Sequence, residues 1–133
     1  MTDISGVYRA LAELATSEFN DIVAEAHTVV LPSGEPAKLR LIIIDDSYVD
    51  IWLSVSGRYL YHWERRAIAG DLYRHDNAPH RRWRHLSTFP KHFHDGADDI
   101  VIESYLSDDP KEAIRTFLNN FIRTKLLEEH RGH

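Results

Sequence analysis

The spacing of hydrophobic positions changes along the chain, and these changes divide it into elements. Near the start, Val7, Leu11 and Leu14 recur at helical spacing, which predicts an amphipathic helix from Ser5 to Glu18. The next segment, Ile22 to Leu31, is rich in β-branched residues and ends at a turn containing proline and glycine. This pattern predicts a strand.

Apolar and polar residues then alternate through several short segments. Lys38 to Ile44 is expected to be a second strand, and Tyr48 to Val55 alternates between two faces, with Val49, Ile51, Leu53 and Val55 on one of them. A serine–glycine pair follows and predicts a hairpin, with Arg58 to Trp63 as its returning arm. Ile68 to Arg74 and Ile100 to Ile102 are interpreted as two further short strands.

The periodicity disappears between His75 and Gly96. Two proline-containing breaks lie in this segment, so it is interpreted as a connection of about twenty residues. Loops of that length are uncommon in compact domains and are often functional. The segment is therefore the first place to look for a site.

A closing helix is predicted from its start signal, in which Asp109 is a capping residue, Pro110 the first helical residue and Glu112 a first-turn acid. An apolar stripe extends it to about Leu127, and residues 128–133 are expected to be a frayed tail. The expected fold is α+β: an antiparallel five- or six-stranded meander sheet with an N-terminal and a C-terminal helix. With 133 residues, the chain is expected to form a single domain, 1–133.

Composition narrows the classes of function. The chain contains no cysteine, which excludes disulfides and thiolate metal sites. Leu41 to Ile44 is the longest purely aliphatic stretch, far shorter than a membrane span. The first residues do not resemble a signal peptide, so we expect a cytoplasmic protein without a membrane association.

Charge is distributed unevenly along the chain, which has a net charge of −5. Residues 65–94, called the basic segment below, hold seven basic and two acidic residues, giving +5 there and −10 for the remainder. Five of the nine histidines lie in the same segment. A basic island on an acidic body fits a polyanion such as RNA, and the alternative is a loop paired with the protein's own acids.

The histidines of the basic segment indicate a candidate chemistry. Histidine titrates near neutral pH, so His80 together with His92 or His94 could serve as base and acid in one reaction. Arg74 and Lys91 could hold a phosphate and stabilise the charge that develops on it. These are the groups needed for RNA cleavage without a metal, and no cofactor is expected.

Other interpretations of the same residues stay open. Asp76 and Asn77 favour turns through side-chain bonds to nearby backbone. His92 and His94 would share one face of a strand and could bind a metal, with His80 or Asp76 completing the site. No carboxylate stands at a recognised ligand spacing, however, and loop histidines are often ordinary surface residues.

Binding of RNA without catalysis is a further alternative. Aromatic side chains stack on the bases of single-stranded RNA, and Trp83 lies between two arginines. Trp63, on an alternating strand, is expected to be a core residue instead. The predicted nucleic-acid contacts are Arg81, Arg82, Trp83, Arg84 and Lys91.

Two blocks of the basic segment resemble a known family. Arg74-His75-Asp76-Asn77-Ala78-Pro79-His80 and Thr88-Phe89-Pro90-Lys91-His92-Phe93-His94 are similar to the paired motifs of the TumE-like family. Its members are small proteins encoded as the toxin half of toxin–antitoxin pairs. The resemblance includes Tyr61-His62-Trp63 and the closing helix, and it departs from the family pattern at His75 and Lys91.

The resemblance implies a toxin that is restrained by an antitoxin, typically a helix-turn-helix protein. The candidate catalytic residues, which match the family's two blocks, are Arg74, Asp76, Asn77, His80, His92 and His94. From the residue types we infer a metal-independent ribonuclease. The alternative is a non-enzymatic module that binds RNA or a partner through residues 74–94, and homo-oligomerisation stays open.

Overall fold

The computed structural model describes residues 3–131 and contains one antiparallel sheet. Its seven strands pair in sequence order, each with its neighbour along the chain. They are β1 (Val23–Val30), β2 (Pro36–Ile43), β3 (Tyr48–Leu53), β4 (Tyr59–Glu64), β5 (Leu72–Asp76), β6 (His92–Gly96) and β7 (Val101–Glu103). The predicted α+β meander is confirmed, but the sheet has more strands than the five or six expected.

Helices precede and follow the sheet, as predicted. They are α1 (Ile4–Glu18) and a closing helix, while the single turn α2 (Arg66–Ala69) lies between β4 and β5. The closing helix is made of α3 (Pro110–Thr116), a π-helical segment (Phe117–Arg123) and α4 (Thr124–Arg131). Asp109 caps the closing helix, because its carboxylate accepts a hydrogen bond of 3.1 Å from the Glu112 backbone N–H. Within residues 3–131, no helix has the length and apolar character needed to cross a bilayer.

The core lies between the helices and one face of the sheet, which we call the covered face. Strand alternation places Val49, Ile51 and Leu53 of β3 in this core, as predicted. The Leu53 backbone N–H donates a hydrogen bond of 2.9 Å to the Tyr8 hydroxyl, which joins β3 to α1. Trp63, predicted to be a core residue, is only 1% exposed.

The predicted strand from Ile68 to Arg74 is a helical turn followed by a strand. Helix α2 ends at Ala69 and is followed by Gly70, whose φ of 78° lies in the left-handed region that glycine adopts without a steric penalty. Strand β5 then begins at Leu72. The apolar run is too short to distinguish the helical period of about 3.6 residues from the strand period of two, so the sequence predicted a single strand.

The connection predicted between His75 and Gly96 is partly sheet. Strand β5 continues through Asp76 and β6 begins at His92, so the loop spans only residues 77–91. It contains one 3₁₀ turn, Arg81–Trp83. Both strand ends were missed because they carry histidines and charged residues, so that apolar and polar residues do not alternate clearly there.

Two further expectations differ from the structure. Val55, expected to share a strand face with Val49, Ile51 and Leu53, lies beyond β3 and is 73% exposed. The tail expected from Glu128 is helical as far as Arg131, and Glu129 accepts a hydrogen bond of 2.6 Å from Arg65. Residues 132 and 133 lie outside the described part of the chain.

Candidate functional site

The candidate site lies on the face of the sheet that the helices leave uncovered, which we call the open face. His75 faces the core, so alternation places its neighbours Arg74 and Asp76 on the open face. In the antiparallel register, Asp76 lies opposite His92 and Arg74 lies opposite His94. Two segments sixteen residues apart in sequence thereby meet across one strand pair.

Asp76, His92 and His94 form a compact group, called the histidine–aspartate cluster below. His92 Nε2 is 3.1 Å from Asp76 Oδ1, and His94 Nε2 is 3.9 Å from Asp76 Oδ2. One nitrogen or oxygen atom from each side chain lies within 4.8 Å of the other two. All three residues are buried.

Backbone carbonyls orient both imidazole rings. His92 Nδ1 is 2.9 Å from the Pro90 carbonyl oxygen, and His94 Nδ1 is 2.8 Å from the Asp98 carbonyl oxygen. A carbonyl oxygen can only accept a hydrogen bond, so we assign a hydrogen to each Nδ1. In the neutral rings, both Nε2 atoms then present lone pairs towards the Asp76 carboxylate.

The environment shifts the pKa values of the three groups in different directions. Burial lowers the pKa of His92, but contact with the Asp76 carboxylate outweighs it, and the net shift is upward. Burial also lowers the pKa of His94, and the positive charge of Arg74 lowers it further. Burial raises the pKa of Asp76, yet the contact with His92 and a backbone hydrogen bond hold it below its usual value.

Arg74 connects the cluster to a wider charged network. Its Nε is 3.6 Å from Asp76 Oδ2, and its Nη2 donates a hydrogen bond of 2.9 Å to Asp98 Oδ1. Its Nη1 is 3.4 Å from His62 Nδ1, and His62 Nε2 is 3.0 Å from Glu64 Oε1. A guanidinium that is still partly exposed is thus held beside the cluster.

Sequence reasoning did not select His62 or Asp98 as site residues. A signal for His62 existed, since the alternation in β4 places it on the face opposite Tyr61 and Trp63, and the family resemblance includes it. Asp98 lies in the loop between β6 and β7, where no pattern distinguishes it from the other loop acids. Its contact with Arg74 depends on the fold.

The loop between β5 and β6 covers the cluster. The Trp83 ring centroid is 6.0 Å from the ring centroid of His92 and 6.0 Å from that of His94. The Arg82 guanidinium lies 4.7 Å from the centre of the Trp83 ring. Residues 81–84 are called the basic turn below, and its three arginines are all exposed.

Two residues predicted for the site make contacts elsewhere. Lys91 Nζ lies 3.1 Å from Asp108 Oδ1, so its charge is already paired. Asn77 Oδ1 accepts a hydrogen bond of 2.9 Å from the Tyr59 backbone N–H, and Asn77 Nδ2 donates one of 2.9 Å to the Gly57 carbonyl oxygen. Asn77 therefore anchors the loop to the β3–β4 hairpin.

His80 is exposed and directly precedes the 3₁₀ turn, and His85 is exposed as well. The structure thus brings His92 and His94 together with Asp76, whereas the other two loop histidines lie on the surface.

Part of the basic segment is neutralised by the protein's own acids. Arg65 is buried, with its Nη1 3.3 Å from Asp71 Oδ2 and its Nη2 2.6 Å from Glu129 Oε2. Its guanidinium also lies 4.7 Å from the centre of the Trp63 ring. The interpretation as internal pairing therefore holds for Arg65, and also for Arg74 with Asp98 and Lys91 with Asp108, while the arginines of the basic turn stay exposed.

The fold and the site define a small α+β protein with a helix-covered face and, on the open face, a histidine–aspartate cluster below a basic turn. A family model described as Toxin TumE matches residues 11–126, which include every residue of the cluster. The chain therefore belongs to the TumE toxin family, and the resemblance noted in its two motifs is confirmed. A toxin-like role with an antitoxin partner follows from this membership. Comparisons with curated proteins and with solved structures gave no match.

Proposed function

We propose that the protein is a cytoplasmic toxin that cleaves RNA at the histidine–aspartate cluster. The observation that carries this proposal is the convergence of Asp76, His92 and His94 beside the Arg74 guanidinium. Titratable groups next to a positively charged guanidinium that is held in place are suited to phosphodiester cleavage. The exposed basic turn above them supports binding of the RNA backbone.

The proposed reaction is an attack of the RNA 2′-oxygen on the adjacent phosphorus. A bond forms between the 2′-oxygen and phosphorus, and the bond between phosphorus and the 5′-oxygen of the next nucleotide breaks. The 2′-hydroxyl loses its proton and the departing 5′-oxygen gains one. The products are a 2′,3′-cyclic phosphate and a 5′-hydroxyl end.

Arg74, the histidine–aspartate cluster and His80 each have a proposed role in this reaction. Arg74 would hold a non-bridging phosphate oxygen and stabilise the negative charge that develops there. The histidine–aspartate cluster would activate the attacking oxygen, and His80 would carry a proton to the departing oxygen. Because Trp83 packs against both imidazole rings, we further propose that the basic turn moves when RNA binds.

The experiment that tests the function has two parts. The protein is expressed under tight control with and without its genomic neighbour, and growth is measured together with the integrity of total RNA. The purified protein is then incubated with a single-stranded RNA and with DNA of the same sequence, which lacks the 2′-hydroxyl. We expect growth arrest, fragmented RNA that ends in cyclic phosphate, and intact DNA.

Variants connect that result to the site. Asp76→Asn and His92→Gln should both abolish RNA fragmentation, whereas His85→Gln, a change at an exposed loop histidine, should leave it unchanged. Growth arrest with intact RNA would keep the toxin but reject the ribonuclease.

A second candidate function is RNA or partner binding without cleavage. It is supported by the exposure of all three arginines of the basic turn and by the Arg82–Trp83 contact. A binding module should lose affinity step by step as each arginine is replaced. For single-stranded RNA, each lost phosphate contact should also reduce the slope of log affinity against log salt by about 0.7.

We also propose that the antitoxin partner is a helix-turn-helix protein encoded next to the toxin. Co-purification of the two chains would support this, and size-exclusion chromatography of the toxin alone would show whether it forms a homo-oligomer. A neighbour that relieves toxicity but lacks such a fold would contradict the proposed partner class.

A further inference from the structure

We propose that the histidine–aspartate cluster binds one divalent transition-metal ion of the zinc type. The ligands are Nε2 of His92, Nε2 of His94 and a carboxylate oxygen of Asp76. The inference rests on the proposed function only in treating the cluster as the reactive site. It replaces the metal-independent chemistry expected from the sequence.

The protonation pattern of the cluster is the first argument. Both Nδ1 atoms face backbone carbonyl oxygens, so in the neutral rings both Nε2 atoms carry lone pairs, and they lie 3.1 and 3.9 Å from the oxygens of a carboxylate that is itself an acceptor. Three acceptors this close together in a buried place repel unless a proton or a cation lies between them. A divalent ion would satisfy all three at once.

The distances fit such an ion. Two ligand atoms of a tetrahedral zinc ion, each about 2.1 Å from the metal, lie about 3.4 Å apart. His92 Nε2 lies 3.1 Å from Asp76 Oδ1 and His94 Nε2 lies 3.9 Å from Asp76 Oδ2. One possible ligand atom from each of the three side chains lies within 4.8 Å of the other two. Side-chain adjustments of about 1 Å would complete the geometry.

The surroundings of the three ligands are those of a metal site. Histidine ligands usually donate their second ring N–H to a carbonyl or carboxylate, which fixes the tautomer, and both rings do so here. Asp76 Oδ1 is likewise held, because it accepts a hydrogen bond of 2.9 Å from the Ala78 backbone N–H. All three ligands are therefore oriented before an ion arrives.

A further observation is a buried atom without a hydrogen-bond partner. His92 is 1% exposed, and its Nε2 makes no hydrogen bond within the described residues although Asp76 is close. Buried polar atoms without a partner are costly and call for an explanation. A coordinated ion would supply the missing partner of His92 Nε2.

The ligand types and the nearby charges indicate which ion binds. Two imidazoles and one carboxylate suit zinc and similar first-row ions better than magnesium or calcium, which prefer oxygen ligands. Three protein ligands leave a coordination position open, as in catalytic sites. Arg74 adds a positive charge nearby, which Asp98 offsets from 2.9 Å. Arg74 and the open position together would accept a phosphate oxygen, and the ion would act there as a Lewis acid.

The test is a titration of the purified, chelator-treated protein with zinc chloride. Binding is monitored by isothermal titration calorimetry and by tryptophan fluorescence. We expect one ion per chain and a change in Trp83 emission, since this ring packs against both histidine ligands. Asp76→Asn and His94→Gln should each weaken binding more than about tenfold. Trp83→Phe should remove most of the optical signal and keep the calorimetric one.

Controls separate this site from adventitious zinc binding by other histidines. His85→Gln should bind like the original protein, and circular dichroism should show that each variant is folded. If Asp76→Asn does not fold, His94→Gln carries the test. Binding that is absent, or that persists undiminished in the folded ligand variants, would overturn the metal site.

The outcome is distinguishable from that of the proposed function. Zinc binding by the three ligands without RNA cleavage would keep the metal site and reject the ribonuclease. RNA cleavage by protein that binds no zinc at the cluster would reject the metal site and keep the ribonuclease, in its metal-independent form.

Discussion

The two faces of the β5–β6 pair place histidines in opposite environments. On the covered face, His75 stacks on Phe93 with ring centroids 4.1 Å apart, and burial lowers its pKa to about 3. On the open face, one residue further, Asp76 meets His92 and His94. His75 therefore serves as a neutral packing residue, while the other two form a site. Which face of the strand a histidine occupies decides its role more than its membership of a histidine-rich segment.

The largest effect on stability is expected on the covered face. Trp63→Ala empties a buried position next to Arg65, and the free energy of unfolding should fall by about 3–5 kcal/mol. Urea denaturation followed by circular dichroism measures this loss. The matched control is Trp52→Ala on the opposite face, where the side chain is 41% exposed and the loss should be below about 1.5 kcal/mol. Equal losses would contradict the division into two faces.

On the open face, we expect substitutions to reduce activity more than stability. Asp76→Asn is expected to lower the RNA cleavage rate by more than about 100-fold, equivalent to about 2.7 kcal/mol, because it removes the carboxylate charge. His75→Gln, one residue away, should reduce stability through lost packing and keep the cleavage rate per folded molecule. Single-turnover rates, corrected for the folded fraction, test both. A comparable rate loss in both variants would remove the distinction.

The loop anchor should have a smaller effect. Asn77→Ala breaks the hydrogen bonds to Tyr59 and Gly57, which should cost about 1–2 kcal/mol of stability. The Tyr59 amide should also exchange its hydrogen faster, as nuclear magnetic resonance would show. Unchanged exchange would mean that the loop does not depend on this contact.

The smallest effect concerns an ion pair on the open face that lies on β2 and β3 rather than on the strands of the cluster. Burial raises the pKa of Asp50, but hydrogen bonds from Arg40 and Lys38 outweigh it and lower the pKa overall. Asp50→Asn should therefore reduce stability by about 1 kcal/mol at pH 7. The difference should be present above the unfolded-state pKa of about 3.9 and disappear as the pH falls through the lower folded-state value. Thermal unfolding at several pH values measures it, and an equal difference at the lowest pH would contradict the assignment.

The elements that the sequence predicted well are those whose burial follows directly from apolar periodicity. Helix α1, the β3–β4 hairpin and the Asp109 cap need only local information. Strand β6 was missed because its first residues, His92-Phe93-His94, bury two imidazoles, which no hydrophobicity pattern indicates.

Only those features of the site that lie within one strand could be predicted from the sequence. That His92 and His94 share one face follows from the period of two, and the structure has this arrangement in β6. The place of Asp76 opposite His92 depends on the register set by the intervening loop. The contact between Lys91 and Asp108 depends on how distant parts of the chain pack, so the sequence pattern did not indicate that this charge is paired. The phosphate-binding role of Lys91 stays a prediction.

The sequential order of the strands has a consequence for how the chain folds. Each strand pairs with the one before it, so the longest loop that a sheet contact must close is residues 77–91, and the contact order of the sheet is low for a β-rich protein. Folding can proceed hairpin by hairpin, and the candidate site needs only the β5–β6 hairpin with its loop. The core is complete only when the closing helix, which supplies Ile114, Phe117 and Leu118, has followed, so we expect the last packing step to await the synthesis of that helix.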